Sequence, residues 1–349
     1  MATLTRPDAP APDTAPARRP VPARVAWVLL TLGLLALVGA ASVAFGVRSV
    51  GLDDIVAGVT GSTGTISEAA VNKRVPRTVL AMIVGAALGL AGAVMQGVTR
   101  NPLADPGILG VTTGASLAVV SGIAFFGLSD PTSYIWVAIV GAGVAATFVY
   151  AVGSMGRGGA TPLKLALAGA ATSAAFASLI SAILLPRIDV MDQFRFWQIG
   201  GVGGASTERT LQVAPFLVVG ALVSFAAARG LNSLALGDDV ARGLGEKVAR
   251  TRLVAAAGAI LLCGAATAVA GPIAFVGLAV PHLCRLLVGI DHRWLLPFSA
   301  LAGAVLLTAA DVVGRLVATD QEVDVGIVTA LVGAPVFIWI VRRQKVRAL

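Results

Sequence analysis

His282 and Cys284 are the pair best suited by type to hold a metal ion, and their spacing tells against it. Two residues apart on a helix, they point to different faces, so no shared metal is expected. Cys263 and Cys284 both lie within apolar runs. They read as small core residues, with no disulfide framework. The exceptional carboxylate inside an apolar run is Asp311, four residues before Arg315. That spacing sets up an i,i+4 ion pair. Ion-driven transporters usually place carboxylates near the bilayer midplane, and this chain has almost none to place there. No cluster of catalytic groups is visible, so no enzyme activity is expected of the chain. No G-x-x-x-x-G-K-[ST] string occurs. The chain therefore holds no ATP through a phosphate loop of its own, and any energy from ATP must come from another subunit.

The densest polar chemistry is the segment 229–252, RGLNSLALGDDVARGLGEKVARTR, flanked by long apolar runs. Two short helices joined by a glycine turn are expected there. A chain needs only a few residues to turn round at a membrane. A charged, partly helical loop of this length suggests a docking surface for another protein, where a plain solvated connection is the alternative.

These residues must be positioned by membrane helices. The 349 residues are 57% hydrophobic and 13% charged, with mean hydropathy +0.88, against about 25% charged in a soluble domain. A crossing takes about 20 mostly apolar residues. About ten such runs are found, at 25–47, 78–98, 107–127, 132–153, 163–185, 209–228, 251–271, 273–289, 295–317 and 325–341. The break at Gly271-Pro272 makes its neighbours the shortest. The fold class is therefore all-α and polytopic. Residues 1–24, rich in Pro and Ala, form a disordered tail, and 25–349 form the membrane domain.

An even number of crossings puts both termini on one side. With both inside, only Arg48, Lys73, Arg74, Arg77, Arg187, Arg195, Arg209 and Arg315 of the 26 basic residues lie outside. That bias fits the positive-inside rule and places 229–252 in the cytoplasm. The net charge of +8 is spread over many short loops and forms no single stripe. Its anionic partner is membrane lipid at the cytoplasmic face, not nucleic acid. Runs such as VGAALGLAGAVMQG (84–97) and LALAGAATSAAFAS (165–178) offer small faces for close helix packing.

Three stretches carry more than hydropathy. They are RVPRTVLAMIVGAALGLAGAVMQGVTRNPLADPGILGVTTGA (74–115), GAATAVAGPIAFVGLAVPHLCRLLVG (264–289) and EVDVGIVTALVGAPVFIW (322–339). With their NPLA-x-PG-x-LGV and GPI-x-FVGL-x-VPH strings, they resemble the permease family of bacterial ABC importers for iron(III)-siderophores, haem and cobalamin. The resemblance runs from about residue 25 to the end. It implies the type II ABC importer permease fold of ten helices, with two copies, or a copy and a sister permease, around a central path. It further implies a cytoplasmic ATPase dimer that binds ATP and Mg, and an external substrate-binding lipoprotein. Leu236, Asp238, Arg242, Gly243, Leu244 and Gly245 then fall in the ATPase-coupling segment. Arg74, Arg77 and Arg315 fall at the outer rim, where such proteins dock their binding protein. Asn101 and Leu103 fall at a cytoplasmic gate, although Asn101-Pro102 also reads as a plain turn.

Thr172, Ser173, Ser178 and Ser181 in the run 163–185 are expected to line the path. So is the segment 196–206, FWQIGGVGGAS, where Gly200 and Gly201 argue against an ordinary helix. Relatives usually carry Pro where this chain has Asp324, which puts the local turn before the last span in question. PGILGVTTG (106–114) and GPIAFVGLAV (271–280) echo each other weakly. A channel or scaffold not driven by ATP is the rival from another class.

Overall fold

The computed structural model describes residues 20–156, 161–317 and 322–343. Among these, every regular element is helical. The elements are α1 (Val21–Ala44), α2 (Leu52–Val59), α3 (Ile66–Thr99), a 3₁₀ turn (Pro106–Leu109), α4 (Val111–Phe126), α5 (Pro131–Ser154), α6 (Pro162–Leu184) and α7 (Ile188–Ile199). There follow α8 (Thr207–Ala226), α9 (Ala228–Leu234), α10 (Asp238–Gly243), α11 (Val248–Ala270), α12 (Val276–Val288), α13 (His292–Val317) and α14 (Val325–Arg343).

Each of the ten expected spans has its helix. Seven, α1, α3, α5, α6, α8, α11 and α13, are long and apolar enough to cross a membrane by themselves. The shorter α4 and α12, of 16 and 13 residues, are the two that begin with the echoed motifs. Both start from a residue at positive φ, Gly110 at 71° and Phe275 at 69°. Each motif spends residues on irregular backbone before its helix begins, which shortens that helix. Such backbone is tolerated at membrane depth only where protein surrounds it.

Helix starts follow local chemistry. Thr65 caps α3, accepting from Glu68 N at 3.1 Å, while Glu68 Oε2 accepts from Thr65 N at 3.3 Å. This reciprocal box satisfies two orphan donors. It starts α3 at Ile66, well ahead of the expected 78, and Pro76 lies inside the helix. Thr161 and Ser206 cap α6 and α8 by the one-way bond alone, accepting from Lys164 N and Arg209 N. The expected tail 1–24 is cut back, because α1 begins at Val21; residues 1–19 lie outside the described residues.

α3 is the central post, with 78% of its most apolar window buried. It packs on α1, α2, α8, α9, α11, α12 and α13. Its crossing with α13 is set by glycine. Gly85 and Gly303 each lie against the other's carbonyl, and a Cβ on either would collide with backbone. The backbones therefore approach as closely as small residues permit, which is how membrane helices associate without a hydrophobic drive. By contrast, α6 has only 17% of its apolar window buried, so most of that helix is left for lipid or another chain.

Candidate coupling and translocation sites

The polar loop folds as its glycine pattern suggests. Leu231 and Leu234, both 0% exposed, pin α9 to the core. Gly237 at φ 102° then turns the chain into α10. Ala241 is buried beneath α10, while Leu236, Val240, Leu244, Arg242, Gly243 and Gly245 are all exposed. Leu236, Val240 and Leu244 thus put three large exposed apolar side chains on a charged loop. Arg242 pairs with Asp239 at 2.7 Å, leaving its guanidinium on the outside.

Asp238 does something different from its neighbours. Its Oδ1 accepts from Arg252 at 2.9 Å and lies 3.3 Å from Arg100 Nη2. Arg100, at φ 53°, closes α3 and immediately precedes Asn101. The loop is thereby tied to the turn that begins NPLADPG. In that turn Asn101 Oδ1 accepts from Leu103 N at 2.9 Å, and Asp105 Oδ1 accepts from Gly107 N at 2.8 Å. Both are side-chain turns of the kind that Asn and Asp favour. Asn101 is exposed and Leu103 half-buried.

A second tie runs from α9 to α13. Asn232 Nδ2 donates to Asp291 Oδ1 at 2.7 Å, and Asn232 Oδ1 accepts from His292 N at 2.9 Å. Burial alone would push the Asp291 carboxyl up. The Asn232 and Arg293 N–H hydrogen bonds, with the charges of Arg293 and Arg24, outweigh it and hold the group below the usual carboxylate range.

The expected path residues come together only in part. Ser173 Oγ accepts from Thr113 Oγ1 at 3.2 Å, Thr172 is buried, and Gly169 sits against the Ile108 carbonyl. Thus α6 is packed on the 3₁₀ turn that follows Asn101 and Leu103. Ser178 and Ser181 are exposed on α6, each bonded to its own helix at Ala174 O and Ala177 O, 3.0 Å in both cases. The segment 196–206 differs from expectation, because residues 196–199 finish α7. Gly200 is buried, at φ 77°, with its carbonyl accepting from Gly326 N at 3.0 Å. Gly201 N donates to Ala270 O at 2.8 Å, and Gly201 lies against Asp324 Oδ1. These two glycines join α11 and α14.

Asp324 settles the turn that its departure from Pro put in question. Its carbonyl accepts from Ile327 N at 3.0 Å and starts α14. Burial raises its carboxyl above the ordinary value; Arg77 opposes this, and Glu322 and Asp311 add to it.

The three arginines expected at an outer docking rim turn inward. Arg74 is 7% and Arg315 2% exposed, and the Arg77 side chain is 13% exposed. Arg315 does pair with Asp311, at 3.1 Å, as its spacing suggests, but Arg77 shares that carboxylate at 2.8 Å. Arg77 also pairs with Glu322 through Nη1, while Arg315 and Arg74 donate to carbonyls at and just past the end of α1. Arg315 Nη1 donates to Ser42 O at 2.9 Å, and Arg74 donates to Ala44 O at 2.9 Å and to Arg48 O at 2.7 Å. α1 has no basic residue in its own last turn. Its free carbonyls and negative dipole end are met from α3 and α13 instead. Sequence spacing could not reveal this, because the partners lie on separate helices.

A polytopic helical bundle with two short helices and a polar, partly helical loop is the arrangement these residues build. The chain belongs to the FecCD transport family, whose model matches residues 34–343. It is 49% identical over 273 residues to the ferric enterobactin transport system permease protein FepD of Escherichia coli K12, covering 78% of this chain and 81% of that one. It is 41% identical over 281 residues to the cobalamin import system permease protein BtuC of Halobacterium salinarum, covering 79% and 74%. The fold matches a solved structure, reported as an inward-facing metal-chelate type ABC transporter, with TM-score 0.80 and 29% identity over 92% of this chain and 100% of that one.

Proposed function

We propose that this chain is the permease subunit of an ATP-driven importer, carrying an iron(III)-siderophore-type chelate across the cytoplasmic membrane. ATP and Mg belong to a cytoplasmic ATPase dimer, an external lipoprotein delivers the chelate, and a second copy or a sister permease completes the path. Both termini are cytoplasmic. The chain itself holds no cofactor. Relatives named for enterobactin and for cobalamin match it comparably, and the ferric chelate is preferred on the higher identity.

The observation that carries this reading is Asp238, which joins the exposed loop to Arg100 at 3.3 Å, next to Asn101. The exposed Leu236, Val240, Arg242 and Leu244 offer the ATPase a surface, and a displacement of the loop reaches the gate turn through Asp238. Surface pairs hold about 1 kcal/mol or less, so this link transmits position more than stability. Exposed α6, carrying Ser178 and Ser181 beyond Thr172 and Ser173, faces the second permease across the path. On the outer side, exposed Arg48 and Lys73 meet the carboxylates of the binding protein, since Arg74, Arg77 and Arg315 are spoken for within the fold. The test is uptake of labelled ferric chelates, haem and cobalamin by a strain lacking this gene, with and without iron limitation. Loss of ferric-chelate uptake alone is expected; loss of cobalamin or haem uptake instead would reassign the cargo.

A further inference from the structure

A crevice of about 900 Å³ opens between α5 and α11, with Thr161 and Leu165 at the start of α6 on its edge. The two helices touch near Ala142 and Gly264 and part toward the end of the molecule where the loop lies. Met95, Val98, Leu109, Ala146 and Ala256 form its buried apolar floor. Leu253 and Ala257, exposed on α11, continue the apolar wall along a membrane-crossing helix. Its mouth is ringed by Arg242, Lys247, Arg250 and Arg252 with Asp238 and Glu246.

The charges at the mouth do not cancel. Asp238 is taken by Arg252 and Arg100, and Arg242 by Asp239. Glu246 accepts from the Thr251 hydroxyl. Lys247 and Arg250, both exposed, have no ion-pair partner among the described residues. A ligand that fits must have an anionic head and a long apolar tail. A docking protein could cover the mouth but could not follow the crevice along the helix into hydrocarbon. Tyr150 lines the wall near the mouth, and an aromatic with a hydroxyl suits headgroup depth.

The geometry points to a binding site for an acidic phospholipid of the cytoplasmic leaflet, with its phosphate on Lys247 and Arg250 and an acyl chain between α5 and α11. This rests on the cytoplasmic placement of the loop and not on the cargo. The leaflet is negatively charged, and juxtamembrane Lys and Arg gain from it near the surface.

The test uses the full-length permease alone in mild detergent, so that no ATPase can occupy the loop. Native mass spectrometry compares retention of phosphatidylglycerol and phosphatidylcholine, with glycerol phosphate as the headgroup without a tail. Wild type should retain phosphatidylglycerol preferentially, and glycerol phosphate should not displace it. Lys247→Gln with Arg250→Gln should lower that preference about tenfold or more. Ala257→Phe keeps the charges but fills the crevice, and should lower retention of both lipids; circular dichroism melting confirms that each variant is folded. Equal retention of the two lipids by wild type would overturn the site, as would an unchanged preference in the double variant. Displacement by glycerol phosphate would show a headgroup site without the acyl crevice and would overturn it too. Because no transport is measured, failure here leaves the importer reading standing.

Discussion

Asn232 in α9 and Asp291 before α13 share a hydrogen bond of 2.7 Å, which joins the polar loop to the foot of a crossing helix. Replacing Asn232 with Leu removes the donor to Asp291 and the acceptor for His292 N. Part-buried polar groups left without partners cost about 1–3 kcal/mol. The isolated permease should melt lower by a few degrees. In the reconstituted importer, ATP hydrolysis should continue while uptake falls, because α9 no longer carries α13 with it. Normal uptake by the variant would break the proposed link.

Gly243 provides a cleaner probe of docking. A Cβ there meets nothing within 4 Å inside the chain. Gly243→Val should therefore leave the melting of the permease unchanged or slightly raised, since Val has a higher helix propensity than Gly. If α10 seats in an ATPase, uptake should drop several-fold, as it should for Arg242→Glu. Unaltered uptake in both would remove α10 from the contact.

The opposite result is expected at Gly303. Its Cβ would collide with the Gly85 carbonyl, and neither backbone can yield without parting α3 from α13. Gly303→Val should cost well over the 1–3 kcal/mol typical of overpacking. Low yield of folded protein, checked by gel filtration, is the readout.

Asp311 holds two guanidiniums, Arg77 and Arg315, and is 1% exposed. Removing one partner of a buried pair usually costs about 3–5 kcal/mol. Asp311→Ala should fall in that range, since Arg315 remains buried with its charge uncompensated. Lys73→Glu, on an exposed position of α3, should leave melting unchanged yet weaken capture of a binding protein, more so at low salt. Thermal melting and a binding titration separate the two.

Asp324 gives a pH dependence of known sign. Burial raises its folded carboxyl above the unfolded value, against Arg77 and with Glu322 and Asp311. The folded state then binds more protons than the unfolded chain between those two pKa values. Stability from this group therefore falls as pH rises through that window, and the penalty is complete above the folded pKa. Asp324→Asn should raise the melting temperature at neutral pH and change it least in acid. A variant less stable than wild type at pH 7 would contradict this.

The bundle was legible from the chain because lipid imposes it. Any run of about 20 apolar residues must satisfy its backbone internally, so hydropathy alone reveals the crossings. The glycine turn at Gly237 and the i,i+4 pair of Asp311 with Arg315 are local, and their geometry is set by covalent spacing. The polar loop stood out because its charges interrupt long apolar runs. What the sequence could not hold is which helix meets which. Arg74 and Arg315 look like rim charges on their own segments, and only the approach of α1 shows that they cap its last carbonyls. That Gly200 and Gly201 bond to α11 and α14 is likewise visible only once those helices are packed. Asp238 reaches Arg100 because packing brings 100 and 238 within 3.3 Å, and no periodicity encodes that distance. Long-range pairs depend on helix crossing angles, and those follow from the summed packing of small residues across the whole bundle.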